Sequence, residues 1–338
     1  NTPIFAVPSK GRTGILLLNL GTPADTGYFA VRRYLKEFLS DQRVIESPPL
    51  IWQPILQGII LTKRPFASGA NYARIWDREE NASPLRVFTR RQAEKLSARL
   101  EKDGIPVAWG MRYGQPSVKD ALTSLMDQGC DRIISIPLYP QYAAATTATA
   151  NDQLFRALMR LRRQPAVLTM PSFPDHPLFI KALQTSVRET LESLPFKPQQ
   201  IVASFHGLPK TCIDKGDSYR DECVRTIVAL RQALDLREEQ MPLTFQSRFG
   251  PLEWIQPYTA PFVSAWPAQG ITKIAVIMPG FMTDCIETLD EIGNELREEF
   301  MAAGGEEFAI VPCLNASEGA IDLLEELSRS ALKGFQFS

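Results

Sequence analysis

Residues 201–209 read Ile-Val-Ala-Ser-Phe-His-Gly-Leu-Pro, an apolar run that ends in a histidine followed by glycine and proline. Such a run is typical of a buried β-strand, and the glycine and proline mark a turn directly behind it. In an open α/β sheet, ligands bind outside the carboxyl ends of the strands. We therefore expect the side chain of His206 to point into a cleft. A histidine packed beside a turn, with its polar atoms satisfied, explains the same residues and stays open as the alternative.

A second stretch repeats this pattern. Residues 14–23 read Gly-Ile-Leu-Leu-Leu-Asn-Leu-Gly-Thr-Pro, and aligning the glycine and proline places Leu20 opposite His206. Residues 129–139 are echoed in the same way by residues 270–281. Because both pairs occur in the same order along the chain, the sequence predicts two related α/β halves.

Strand and helix patterns alternate through the rest of the chain. Strands are predicted over residues 106–112, 132–136, 166–170, 243–246, 273–278 and 306–311. Helices are predicted over residues 91–102, 118–128, 151–163, 177–194, 219–236, 258–269 and 283–302. Helices between short apolar strands imply parallel sheets that are covered on both faces. The predicted fold is α/β, with two similar Rossmann-like halves at residues 1–168 and 169–338, and with the last helix packing back across the boundary.

Composition excludes several classes of protein. The 338 residues carry a formal net charge of −1, which gives no general reason to expect a nucleic-acid partner. Residues 1–14 show no secretory signal, and no run of 18 apolar residues occurs. Nucleotide-phosphate loops of the G-x-G-x-x-G or G-x-x-x-x-G-K-[ST] type are absent from the sequence. The five cysteines are scattered and form no C-x-x-C pair: Cys130, Cys212, Cys223, Cys285 and Cys313. We therefore expect a cytoplasmic protein without a disulfide framework, a structural zinc or an iron–sulfur site.

An acidic row follows the predicted strand at residues 273–278. At about 100° per residue, five acidic side chains share one face of the next helix: Asp284, Glu287, Glu291, Glu295 and Glu298. Solvation of an exposed helix face explains Glu295 and Glu298. The first acids lie at a strand end in the same half as His206, and a histidine that faces carboxylates supplies metal ligands and a proton relay. We expect an open, weakly holding metal site rather than a closed zinc site.

Ser204, two residues before His206, raises the possibility of a serine hydrolase. It lies inside the predicted strand, without the G-x-S-x-G turn that exposes such a nucleophile. The sequence therefore disfavours a hydrolase.

Residues 47–64 form an apolar segment with a basic end, which we call the lip. Its apolar side chains recur at helical spacing: Trp52, Ile55, Leu56, Ile59 and Ile60. Lys63 and Arg64 follow them. A core helix explains this stripe, as does a lip that touches a membrane surface or grips a flat apolar ligand. Arg112 and Tyr113, together with the aromatic residues of 245–254, favour the interpretation of a wide apolar pocket.

These motifs together resemble the ferrochelatase family over residues 14–315. The resemblance is carried by Leu-Asn-Leu-Gly-Thr-Pro at 18–23, Tyr-Pro-Gln-Tyr at 139–142, residues 204–209, residues 245–251, and Asp-Cys-Ile-Glu-Thr-Leu at 284–289. It implies a chelatase-like fold with a porphyrin cleft between the halves. It also implies insertion of ferrous iron into protoporphyrin IX, with release of two protons.

The resemblance assigns roles residue by residue. His206 would accept pyrrole protons, ligate iron, or both, with Glu287 as the paired catalytic carboxylate and metal ligand. Glu291 and Asp284 would extend the relay. Five residues would contact the porphyrin: Arg112, Tyr113, Trp254, and Lys63 or Arg64 at a propionate.

The chain departs from some members of the family at two places. Cys285 stands where they carry histidine, and residues 328–338 lack the cysteines that hold a [2Fe–2S] cluster, so we predict no cluster. Two alternatives stay open: a chelatase for another tetrapyrrole, such as coproporphyrin or sirohydrochlorin, and a haem or metal carrier without turnover.

Overall fold

Eight strands form two parallel sheets in the computed structural model, which describes residues 11–335. The strands are β1 Arg12–Gly21, β2 Val107–Tyr113, β3 Cys130–Pro137, β4 Ala166–Thr169, β5 Gln200–His206, β6 Leu243–Gln246, β7 Lys273–Ile277 and β8 Glu307–Val311. The first sheet has the order β2-β1-β3-β4 and the second has the order β6-β5-β7-β8. The two orders are identical when four is added to each strand number. The predicted repeat and the predicted α/β class are therefore confirmed, with β1 as the counterpart of β5 and β3 as that of β7.

Helices cover the sheets. They are α1 Tyr28–Leu39, α2 Pro49–Ile55, α3 Leu61–Ile75, α4 Pro84–Leu100, α5 Val118–Asp127, α6 Thr149–Leu158, α7 Pro177–Ser193, α8 Lys210–Asp214, α9 Tyr219–Leu234, α10 Thr259–Ser264, α11 Arg297–Ala302 and α12 Glu318–Lys333. Three segments are π-helical: Leu56–Ile60, Ala144–Ala148 and Glu287–Leu296. The segment Ala144–Ala148 follows β3 in the first half, and the segment Glu287–Leu296 follows β7 at the corresponding place in the second half.

Several predicted helix boundaries were wrong for identifiable reasons. Helix α4 begins seven residues before the predicted start, because the Ser83 hydroxyl accepts a hydrogen bond from the Arg86 amide and Pro84 suits the first turn. The helix predicted over 258–269 ends at Ser264 and is followed by a 3₁₀ turn at Pro267–Gln269. The helix predicted over 283–302 begins only at Glu287, as a π-helix.

One hydrophobic core joins the two halves. Leu17 and Ile136 of the first sheet belong to the same buried cluster as Phe205 and Ile277 of the second. Helix α12 packs against α7 and α4, and Arg99 of α4 donates hydrogen bonds to its acidic side chains. The last helix therefore returns to the first half, as predicted. Because the core is shared, the division at residues 168 and 169 stays a prediction. Two predictions concern residues outside those that the structure describes. The absence of a secretory signal involves residues 1–10, and the absence of cysteine from the tail involves residues 336–338.

Candidate active site

His206 is the last residue of β5, at the carboxyl end of the second sheet. Its Nδ1 lies 2.6 Å from the carbonyl oxygen of Gly207. A carbonyl oxygen only accepts hydrogen bonds, so this contact places a proton on Nδ1 and leaves Nε2 of the neutral ring as the acceptor. The ring is half-buried, and its centroid lies 6.3 Å from that of Trp254. The imidazole is therefore held in one orientation at a strand end.

Gln246 joins the histidine strand to the helix that carries the carboxylates. It ends β6, in register with His206, and its side chain is buried. Its Nε2 donates to the backbone carbonyl of Glu287 at 2.8 Å, and its Oε1 accepts from the Ser204 hydroxyl at 2.8 Å. The start of the π-helix is thus fixed beside His206. Ser204 has no solvent exposure and serves as a support for Gln246, which agrees with the sequence argument against a serine nucleophile.

Glu291 completes an electrostatic group with His206 and Glu287. The Ser247 hydroxyl donates to Glu291 Oε2 at 2.6 Å. Burial raises the pKa of Glu291, and the nearby charge of Glu287 raises it further, whereas Ser247 and His206 act to lower it. The charges of His206 and Glu287 therefore both lie close enough to Glu291 to act on its carboxylate. The π-helix therefore brings together the histidine and two of the predicted acids.

The π-helix also packs against α3 of the first half. Tyr34 and Tyr72, on α1 and α3, are buried with ring centroids 6.3 Å apart. Burial raises the pKa of Tyr72, and the charge of Glu287 raises it further. Glu287 thus lies between its own sheet and the helices of the other half.

The raised pKa of Glu291 has a consequence for stability. The folded protein keeps the Glu291 proton over a pH range, above the ordinary glutamate value of 4.5, in which the unfolded chain has lost it. Stability therefore falls as the pH rises through this range. Glu291→Gln removes that cost, so we expect a melting temperature higher by about 1–3 °C near pH 8 and unchanged near pH 4. Thermal denaturation at both pH values measures this, with Glu298→Gln on the exposed surface as the control. A loss of stability near pH 8 would contradict it.

Asp284, the other acid predicted for the relay, is held by hydrogen bonds from the π-helix and from the loop that follows β8. Its carboxylate accepts hydrogen bonds from Asn315 Nδ2 at 2.6 Å, Thr288 Oγ1 at 3.0 Å and the Cys313 amide at 3.4 Å. The side chain is buried, and these donors occupy both oxygens. Asp284 therefore anchors the loop that follows β8, and its part in the relay stays a prediction.

Sequence reasoning missed Asp290 as well as Gln246 and Ser247. The assumption of 100° per residue placed Asp290 off the acidic face, whereas the π-helix turns it inward to 1% exposure. Its Oδ2 lies 2.8 Å from Arg74 Nη2 of α3. Gln246 and Ser247 carry a signal that could have been used, because both come directly at a strand end.

Arg112 and Tyr113 lie in a buried polar network at the end of β2. Arg112 pairs with Asp41 at 2.5 Å and donates to Thr149 Oγ1 at 2.6 Å, and the Tyr113 hydroxyl donates to Asp41 at 2.8 Å. Arg112 lines a cavity of about 910 Å³ between α1, α6 and the lip, together with Trp52. Tyr113 has 0% exposure, so its phenol faces Asp41 rather than an open pocket.

The other predicted porphyrin contacts are Trp254, Lys63 and Arg64. Trp254 is buried beside His206, and its Nε1 has no hydrogen-bond partner among the described residues. Lys63 is exposed. The guanidinium of Arg64 lies 4.7 Å from the ring centroid of Phe249, in the loop after β6. The basic end of the lip therefore reaches the second half.

The lip presents apolar side chains to solvent. The predicted stripe is divided: Leu56 is fully buried and Trp52 Nε1 donates to the Leu39 carbonyl, whereas Ile55 and Ile59 are exposed. Four further large apolar side chains are exposed on or beside it: Phe29, Leu50, Ile51 and Phe66. Over residues 11–335, no helix has the length and apolar character needed to cross a bilayer.

Comparisons with known proteins agree with one another. The family model described as Ferrochelatase matches residues 12–332. A relative named Ferrochelatase from Gluconobacter oxydans (strain 621H) is 83% identical over 335 residues, covering 99% of this chain and 98% of the relative. A relative of the same name from Brucella anthropi is 53% identical and covers 96% and 93%. Among solved structures, SirB from Bacillus subtilis with Fe³⁺ aligns with a TM-score of 0.58 at 10% identity, covering 97% of this chain and 99% of that one, which indicates a shared fold.

Proposed function

Because the chain belongs to the ferrochelatase family and inserts ferrous iron into protoporphyrin IX to form protohaem, we propose that His206 and Glu287 carry this reaction. The supporting observation is the group formed by His206, Glu287 and Glu291 at the carboxyl end of the second sheet. This is the edge at which open α/β sheets bind their ligands. Ferrous iron is a substrate of the reaction.

The two pyrrole protons define the chemical task. Iron replaces both N–H protons of the porphyrin, so a base must stand near the ring centre and a path must carry the protons away. In this proposal Nε2 of His206 takes each proton in turn, because Nδ1 is occupied by the Gly207 carbonyl. Glu291 then receives protons from the histidine side. Its pKa is raised by burial, which brings it closer to the neutral range in which such exchange is efficient.

The metal would be held by few protein ligands. Within residues 11–335 no group of three or more histidine, cysteine, aspartate or glutamate side chains is arranged to hold a metal ion. We assign His206 and Glu287 as the iron ligands, one nitrogen and one oxygen donor. Such a pair leaves coordination positions for water and then for the porphyrin nitrogens. Nε2 of His206 takes a pyrrole proton only after the iron has moved from it to the porphyrin nitrogens. A site of this kind passes the metal on.

The porphyrin would lie between the lip and the second sheet. Trp254 offers an aromatic face beside His206, and Lys63 and Arg64 offer cations to the propionates. Arg112 would contribute through the cavity that it lines, held there by Asp41. Binding a flat macrocycle in a site that also bends it is one way to expose its nitrogens.

Anaerobic metal insertion tests the reaction. Porphyrin absorbance is followed with ferrous iron, or with zinc as a surrogate, in parallel on protoporphyrin IX, coproporphyrin and sirohydrochlorin. Turnover of protoporphyrin IX above that of the other two supports the proposed substrate. Faster turnover of another tetrapyrrole would reassign it, and stoichiometric binding without turnover would support a carrier.

We also propose that the protein binds no iron–sulfur cluster. A [2Fe–2S] cluster needs four ligands, usually cysteines. Four of the five cysteines are buried within the fold: Cys130, Cys223, Cys285 and Cys313. Iron and acid-labile sulfide analysis of the purified protein tests this, and visible absorption from a bound cluster would contradict it.

We propose that the lip makes peripheral contact with a membrane. Leu50 is 91% exposed and Ile51 63%, and Lys63 follows on the same segment. Apolar side chains beside a cation suit the boundary between acyl chains and anionic headgroups. One such segment provides reversible binding rather than stable anchoring.

Charges placed in the lip should release the protein from membranes. We expect the double variant Leu50→Glu/Ile51→Glu to lower the fraction that cosediments with phosphatidylglycerol vesicles by about tenfold, since it removes apolar area and adds repulsion. Val228→Glu, at a 52% exposed apolar position on α9, is the control and should sediment like the wild type. Equal sedimentation of all three proteins would reject the membrane role.

A further inference from the structure

We propose that Arg74 and Asp290 form a positioning pair that locks the π-helix in its register and so aims Glu287 and Glu291 at His206. The inference rests on the proposed function of those two carboxylates. Arg74 lies at the end of α3, in the first half, and Asp290 lies in the π-helix of the second. The pair therefore joins the lip helix to the helix that carries the acids.

Asp290 is a buried charge whose one cationic partner within residues 11–335 is Arg74. Its side chain is 2% exposed and its Oδ2 lies 2.8 Å from Arg74 Nη2. Its Oδ1 accepts from Asn294 Nδ2 at 2.9 Å. A buried carboxylate that loses its only cation is strongly unfavourable. The π-helix is therefore restricted to the rotation that keeps Asp290 against Arg74.

The π register makes this restriction specific. A helix closed by i→i+5 hydrogen bonds turns by roughly 80° per residue, against about 100° in an α-helix. Between Glu287 and Asp290 the two registers therefore differ by roughly 60°. If the segment became α-helical while Glu287 stayed in place, Asp290 would swing away from Arg74. The ion pair therefore selects the π form, and with it the relative directions of Glu287 and Glu291.

The other side of the π-helix is held by its own sheet. Gln246 donates to the Glu287 carbonyl and Ser247 donates to Glu291. Those contacts fix the position of the first turn and of one carboxylate. Arg74 adds the contact from the opposite half, so the helix is held between the two sheets. Tyr72 of the same α3 helix also faces Glu287.

Helix α3 thereby links two parts of the proposed site. Its first turns carry Lys63 and Arg64, the proposed propionate contacts, and its last turn carries Arg74. A displacement of the lip helix would be transmitted to Asp290. In this arrangement Arg74 touches neither substrate nor metal, and acts through the carboxylates that it orients.

Substitution of Arg74 tests the pair. We expect Arg74→Gln to lower kcat for zinc insertion into protoporphyrin IX by about tenfold or more, with KM for the porphyrin within about twofold of the wild type. Arg74→Lys should recover most of the loss, because the contact to Asp290 uses a single nitrogen. Glu295→Gln is the matched control: it removes the other carboxylate on Arg74, at 3.4 Å and half exposed, and should leave kcat unchanged.

A second variant separates positioning from folding. Arg74→Gln/Asp290→Asn removes both charges, so we expect it to melt near the wild-type temperature while kcat stays low. Wild-type kcat in this folded double variant or in Arg74→Gln would overturn the proposal, as would an equal loss of kcat in Glu295→Gln. The proposed function is judged separately by His206→Ala, whose full activity would refute the roles assigned above without reference to Arg74.

Discussion

Replacement of His206 by alanine is expected to abolish iron insertion, with kcat lowered by at least about 1,000-fold. The imidazole is the only histidine at the sheet edge, and it presents Nε2 as a base because Nδ1 is bonded to the Gly207 carbonyl. Removal of the ring takes away the proton acceptor and one proposed metal ligand together. Porphyrin affinity should change little, since the contacts assigned to the macrocycle come from other residues. Anaerobic insertion assays and quenching of porphyrin fluorescence measure the two quantities separately.

The second histidine of the chain provides the control. His176 precedes α7, and its Nδ1 accepts from the Leu178 amide at 3.3 Å. His176→Ala removes this helix cap, which costs about 1 kcal/mol of stability. It should leave kcat at the wild-type value. Full activity of His206→Ala would remove the histidine from the mechanism, and equal losses in both variants would point to a folding defect.

Glu287→Gln is expected to lower kcat by about 100-fold or more while the fold stays intact. The substitution keeps the shape of the side chain and removes its charge. Gln246 bonds to the backbone carbonyl of Glu287, so the start of the π-helix keeps its anchor in the variant. A loss of activity would therefore report on the carboxylate itself.

Metal binding provides a second readout for Glu287. Titration of the porphyrin-free protein with Co²⁺, followed by visible absorption, should show weaker binding in Glu287→Gln than in the wild type. Glu298→Gln, an exposed acid beyond the π-helix, is the matched control and should behave as wild type. Unchanged turnover in Glu287→Gln would show that this carboxylate only solvates the helix face and takes no part in the reaction.

The strand framework was predictable because it depends on local patterns. An apolar run that ends in glycine and proline marks a strand end in either half. Because this pattern recurs at residues 14–23 and 201–209, the sequence predicted two related halves, and the two sheets do have the same strand order. The position of His206 followed from the same pattern. These features need no knowledge of distant contacts.

The π-helix was not predictable from periodicity. Residues 283–302 fit an α-helical template, since the two registers differ by only about one residue per turn. The difference is decided by contacts from other elements, such as Arg74 on Asp290 and Gln246 on Glu287. The hydrogen bond that Asn315 donates to Asp284 likewise depends on a residue 31 positions later in the chain.

Burial of the first-half pocket residues also depends on distant partners. Arg112 and Tyr113 follow a strand, which favours a position beside a cleft. Asp41, more than 70 residues earlier in the chain, binds both side chains and turns the phenol inward. Sequence spacing carries no signal for that partner.

The hydrophobic core shared by the two halves limits how a large planar substrate can reach the site. Side chains of both sheets, such as Leu17 and Phe205, lie in one continuous apolar interior, and α12 straps the halves together. Separating the two halves would expose that apolar interior to water, at a free-energy cost of about 25 cal/mol for every Å² exposed. We therefore expect the tetrapyrrole to enter past α2 and α3, where apolar side chains already face solvent, without separation of the two halves.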